Sequence, residues 1–139
     1  MQRGLVSRNI GKMDILANAL SNIMSAEATG KRECIAGVSS KTLKGVLTIM
    51  KDNYYIGDFQ EINDEKGGKV VINLIGKINN TGVIKPRFAV KLNEYKKYEE
   101  RFLPAQNFGL IVVSTSHGLI THREAKEKKI GGKLISFVY

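Results

Sequence analysis

A chain of 139 residues with a formal net charge of +9 and one cysteine has room for a single compact domain or two small lobes, and no disulfide framework can form within it. No stretch approaches the roughly 18 apolar residues that span a bilayer, so no membrane partner is expected. The charge excess favours a polyanion over a small acidic substrate, which leaves nucleic acid as the default partner.

Residues 1–12 carry Arg3, Arg8 and Lys12 with no acid, and they read as a basic N-terminal extension laid on RNA or a partner, with a short transit-like targeting segment as the alternative. From Asp14 to Ala28 the apolar positions Leu16, Ala17, Leu20, Ile23 and Met24 recur at three- and four-residue steps, and Gly30 is placed to end the pattern. An amphipathic helix is predicted there. Lys31 and Arg32 follow as candidate phosphate contacts and lead into a predicted strand, Glu33 to Val38, where Cys34 reads as a small buried thiol in a reducing compartment.

Ser39 or Ser40 can cap a second helix, Lys41 to Asn53, with Leu43, Val46, Leu47 and Met50 on one face and Lys41 at its start. Tyr54 to Ile62 and Lys69 to Ile75 then read as strands joined by the turn cluster Asn63 to Gly68, a β-hairpin. The change of lobe is placed in Asn79 to Lys85. Residues 1–78 hold 11 basic and 8 acidic residues, net +3, whereas residues 79–139 hold 11 and 5, net +6. The shorter second part is thus the more cationic.

Lys91 to Phe102 is predicted helical and closed by Pro104, with Tyr95 and Tyr98 covering a core edge and their hydroxyls in water. Leu110 to Val113 is a short β-branched-rich run of the kind that forms a buried strand. It gives way to Ser114, Thr115, Ser116, His117 and Gly118, read as a loop clamped between that strand and a helix. The helix is expected to start at Thr121, three residues before Glu124 as in a capping box, and to run through Lys129. Lys133 to Tyr139 alternates well enough for a terminal strand.

Short hydroxyls beside a glycine suit RNA, whose 2′-hydroxyls, base edges and phosphates all bond to such side chains. Composition alone favours a solvated turn that caps its own backbone, because Ser/Thr turns are common. Ser116, His117 and His122 do not make an enzyme, because only one of the two glycines of a nucleophile elbow is present and the histidines have no Cys or nearby Asp for zinc. No catalytic residue, metal, cofactor or small-molecule substrate is expected.

The eighteen positions from Gly109 to Lys126, with Val112-Val113-Ser114-Thr115-Ser116, Gly118-Leu119-Ile120 and Ala125-Lys126, resemble the signature of the eighth small-subunit ribosomal protein family. Met13 to Leu20 (MDILANAL), Tyr55 to Phe59 (YIGDF), Pro86 to Phe88 (PRF) and Gly131 to Lys133 (GGK) resemble it in the same order, so the likeness covers nearly everything after Gly11. The stretch PRFAVKLNEYKKYEERFLPAQNFG is similar to the archaeal and eukaryotic branch.

The expected fold is α+β in two small lobes. Residues 13–78 form a helix-strand-helix-hairpin lobe, and residues 79–139 a lobe of mixed strands with one or two helices and the main RNA-binding loop. The resemblance implies a structural component of the cytosolic small ribosomal subunit that binds the central domain of its rRNA and meets neighbouring ribosomal proteins. It gives Ser114, Thr115, Ser116 and Gly118 the family's RNA contacts, to which His117 is added by position. Charge and position add Lys41, Lys85, Arg87, Arg123 and Lys133, with Lys31 and Arg32, as phosphate contacts. A free-standing RNA-binding translational regulator is the alternative.

Overall fold

The structure is a computed structural model that describes residues 15–36, 41–62, 68–85, 87–105 and 108–139. The basic extension, the cap at Ser39 or Ser40, the end of the first predicted strand, Pro86 and most of the turn Asn63 to Gly68 lie outside the described residues. Helix α1 (Ile15–Ala28) buries Leu16, Ala19, Leu20, Ile23 and Ala26 along one stripe. It closes on Gly30, whose φ of +74° lets the Gly30 and Lys31 amides return to the Glu27 and Ala26 carbonyls.

Strand β1 (Glu33–Ala36) buries Cys34 and leads to helix α2 (Lys41–Asp52), which buries Leu43, Val46, Leu47, Ile49 and Met50. The predicted strand from Tyr54 begins two residues late, as β2 (Ile56–Ile62). The cause is the helix end: the Tyr54 and Tyr55 amides bond to the Lys51 and Met50 carbonyls, with Tyr54 itself at φ +65°. Strand β3 (Lys69–Leu74) pairs antiparallel with β2, as the predicted hairpin requires, and on its other side with β1, giving the order β1-β3-β2. The helices cover one face of this sheet.

The second sheet joins β4 (Thr81–Val83), β6 (Leu110–Thr115), β7 (Gly118–Thr121) and β8 (Gly132–Val138) in the order β4-β8-β6-β7, with β5 (Ala89–Val90) also paired to β8. A single 3-10 turn, Leu92–Glu94, precedes helix α3 (Tyr95–Phe102), and helix α4 (His122–Glu127) follows β7. Leu110, Ile111, Val112 and Val113 are all buried, and they alternate between two cores. Leu110 and Val112 join the core of α1, α2 and the first sheet, whereas Ile111 and Val113 join Tyr95, Tyr98, Ala125 and Leu134. That two-sided burial is why this run has no polar alternation. Among the described residues no helix is long and apolar enough to cross a membrane.

The Tyr95 hydroxyl is not in water as expected; it donates to the Ile130 carbonyl at 3.0 Å and so ties α3 to the segment after α4. His122 is 1% exposed. Its Nδ1 accepts the Ile111 amide at 3.0 Å, which leaves the ring proton on Nε2, facing Glu99 Oε1 at 3.6 Å. Glu99 also holds Lys126 at 2.6 Å. Burial depresses the imidazole to a pKa of about 4 from 6.5, against the pull of the Glu99 carboxylate.

The unfolded chain therefore binds a proton at His122 between pH 6.5 and 4 that the folded chain refuses, so stability rises with pH across that window and falls as pH drops through it. The expected loss at pH 4 is roughly 3 kcal/mol at most. Urea denaturation from pH 7 to 4 should show a shallower pH dependence in His122→Gln than in the parent. Parallel curves would contradict the assignment.

Candidate nucleic-acid interface

Ser114 to Gly118 is the tip of a β-hairpin and not a loop between strand and helix. Strand β6 continues through Ser114 and Thr115, which pair with Leu119 and Gly118, and α4 starts only after β7 has returned along β6. Leu119, Ile120 and Thr121 carry apolar or branched side chains that pack as a strand, and Ile120 and Thr121 are buried. The Thr121 cap forms as its spacing predicts, with Oγ1 accepting the Glu124 amide at 3.1 Å. The helix ends at Glu127 instead of running through Lys129. Lys129 takes φ +59° and, with Ile130, turns its amide back to the last carbonyls.

The three hydroxyls at the tip have different duties. Thr115 Oγ1 donates to the Gly118 carbonyl and accepts the His117 amide, each at 3.0 Å, so it holds the turn together. This is the self-capping turn that composition alone favours, but it consumes one hydroxyl of three. Ser114, half-buried, and Ser116, exposed, make no hydroxyl hydrogen bond among the described residues. Gly118 has φ +92°, and a Cβ there would meet nothing within 4 Å. The left-handed residue after a two-residue turn closes the hairpin, and the space around it lets a ligand approach the backbone. His117 is exposed beside it.

Cross-strand register decides which predicted cations join the tip. Ser114 lies opposite Leu119 on β7 and Lys133 on β8, so the three side chains share one face. Helix α2 reaches that face: a Cβ on Gly45 would lie 2.4 Å from Leu119 Cδ1. Lys41 is one helical turn from Gly45 and on the same side of α2. Helix α2 thus packs on the face that Ser114 and Lys133 share, with the exposed Lys41 one turn from that contact. Gly45 had a signal in the sequence, a glycine inside a helical pattern, but its packing partner 74 positions along the chain did not.

The remaining predicted cations disperse. Lys85 and Arg87 are exposed on the segment leading into β5, where Ala89 pairs with Lys133. Arg123 is at the base of the hairpin, where its guanidinium donates to the Gly109 carbonyl at 3.0 Å. That point is about 20 Å from the tip along β6. Lys31 and Arg32 rim an open groove with Glu33, Asn73 and Leu74 at the end of the first sheet where α2 terminates, the opposite end from Lys41.

Neither histidine reaches a serine hydroxyl among the described residues, and His122 is committed to the Ile111 amide. No group of three or more His, Cys, Asp or Glu side chains suited to a metal occurs among them.

The division of labour at the tip is measurable by denaturation. Thr115→Val keeps the shape but removes the bridge, and it should cost about 1 kcal/mol. Ser116→Ala should stay within about 0.5 kcal/mol of the parent. Equal costs would mean that the hydroxyls are interchangeable.

Residues 14–139 match the family model for ribosomal protein S8, a span that takes in both sheets, the β6-β7 hairpin included. That family consists of structural RNA-binding proteins and not of enzymes. The chain belongs to the ribosomal protein S8 family, and is thus a small-subunit ribosomal protein that binds ribosomal RNA.

Proposed function

We propose that this chain is a structural constituent of the cytosolic small ribosomal subunit, of the archaeal and eukaryotic type, that binds the central domain of the small-subunit rRNA, supports assembly and so translation. Residues 79–139 form the principal RNA-binding lobe. The hairpin tip recognises a folded RNA surface through the Ser114 and Ser116 hydroxyls and the open backbone at Gly118, with His117 beside them and Thr115 keeping the turn rigid. Lys133 and Lys41 contact phosphates on the same face and set the register. Lys85, Arg87 and Arg123, with Lys31 and Arg32, contact the RNA backbone farther out. Residues 13–78 add Lys41, Lys31 and Arg32 to these contacts and meet neighbouring ribosomal proteins.

The observation that carries this reading is the pair of unspent hydroxyls at Ser114 and Ser116, flanking a hydroxyl that is spent on the turn. A rigid turn lowers the ordering cost of binding, because the tip need not be organised by its ligand.

Replacing Ser114 and Ser116 together by Ala should weaken binding to central-domain RNA about tenfold, at about 0.5–1.5 kcal/mol per lost hydrogen bond, while circular dichroism stays native. Unchanged affinity would move the site elsewhere. In cell extracts the protein should sediment with small subunits. Recovery only in ribosome-free fractions would favour a regulator that acts away from the ribosome.

A further inference from the structure

Helix α3 contains three basic and two acidic residues, but its tertiary contacts distribute them unevenly. Glu99 turns inward, where it holds Lys126 at 2.6 Å and faces buried His122. Lys97 and Arg101 are four residues apart and share a face roughly opposite Glu99. Both are exposed, and neither has a carboxylate partner among the described residues. Glu100 adjoins Arg101 and is three residues from Lys97, a spacing that makes them neighbours on the helix, yet it forms no ion pair with either among the described residues. The only other acid nearby in the chain, Glu94, accepts the Lys91 amide at 2.8 Å.

Both cations rest on aromatic rings. The Arg101 guanidinium lies 5.3 Å from the Phe88 centroid and 5.4 Å from that of Phe102, and Lys97 Nζ lies 5.5 Å from that of Tyr98. The rings are fixed in turn: Phe88 packs on Tyr98 at 5.2 Å and Phe102 on Phe137 at 5.9 Å. A guanidinium set over two rings gives up some rotamer freedom, yet keeps its in-plane N–H fork for an anion. The fork matches the paired oxygens of a phosphate.

We propose that Lys97 and Arg101 form a second RNA-binding site, which takes phosphates of the RNA backbone. This site rests on the RNA-binding reading above but not on the hairpin. The rings of Phe88, Tyr98 and Phe102 belong to the core of Ile111 and Val113, on the face of the second sheet opposite the one that α1 and α2 cover. Ser114, Lys133 and Lys41 are on the α2 side, so the two sites grip different stretches of RNA. Arg87, exposed beside Phe88, extends the second site towards β5.

The test uses the full-length protein with two probes, central-domain RNA and an unrelated duplex RNA of equal length, titrated from 0.05 to 0.3 M salt. In Lys97→Gln/Arg101→Gln the slope of log affinity against log salt should fall by roughly 1.5 for both RNAs, since each lost phosphate contact contributes about 0.7–0.9. At 0.1 M salt the loss should be about thirtyfold, and it should multiply with the loss from the Ser114/Ser116 variant. Arg101→Lys should keep the slope. Arg101→Met, whose stem still packs on the rings, should lose it as Gln does. A lower melting temperature with an unchanged slope would make the two cations mere ring packing and overturn the proposal. A hairpin variant that binds normally beside a weakened Lys97/Arg101 variant would sink the hairpin reading and leave this one standing.

Discussion

Two-sided burial of β6 is the constraint on which this molecule depends. Leu110 and Val112 supply one core and Ile111 and Val113 the other, so the strand is a shared wall between α1 and α2 on one side and α3 and α4 on the other. A strand packed on both faces has no freedom to slip, because a shift by one residue would exchange the partners of every side chain. The two residues that follow, Ser114 and Thr115, inherit that fixed register while leaving the core. The register of the hairpin tip is set for this reason, before any local hydrogen bond is considered.

Local chemistry then divides the tip into parts that hold and parts that are offered. Thr115 spends its hydroxyl on the Gly118 carbonyl and the His117 amide, and Gly118 supplies the left-handed backbone that closes the turn. Ser114 and Ser116 keep their donors and acceptors. The same division governs the charges. Glu99 is drawn inward to Lys126 and His122, and Arg123 gives one of its guanidinium donors to the Gly109 carbonyl. Lys133, Lys41, Lys97 and Arg101 remain at the surface. A net charge of +9 favours a polyanion as partner, and the contacts that consume particular charges separate the cations left at the surface from those held within the fold.

Features decided within one helical turn or one strand were legible in the sequence. The Thr121 cap, the α1 and α2 stripes, the hairpin of β2 and β3 and the burial of Cys34 all follow from spacing over a few residues. Features decided by partners far along the chain were not. Leu119 to Thr121 is too short a run to separate a strand from a helix approach, and its pairing with β6 is what settles it. Tyr54 looked like strand because aromatic residues favour strands, but closure of α2 claimed its amide first. His122 carried no signal of burial, since its partners, the Ile111 amide and Glu99, come from two other elements. At the site itself, the hydroxyl run was readable, but the assignment of Thr115 to the turn and of Lys133 and Lys41 to the same face needed the fold.

The central claim is that the tip of this hairpin lies against ribosomal RNA in the assembled particle. It is tested most directly by placing a photoreactive side chain at position 116, assembling small subunits in vivo, irradiating them and mapping the adducts. The account predicts adducts confined to a short stretch of the central domain of the small-subunit RNA. Adducts only to protein, or none in particles that contain the labelled chain, would contradict it.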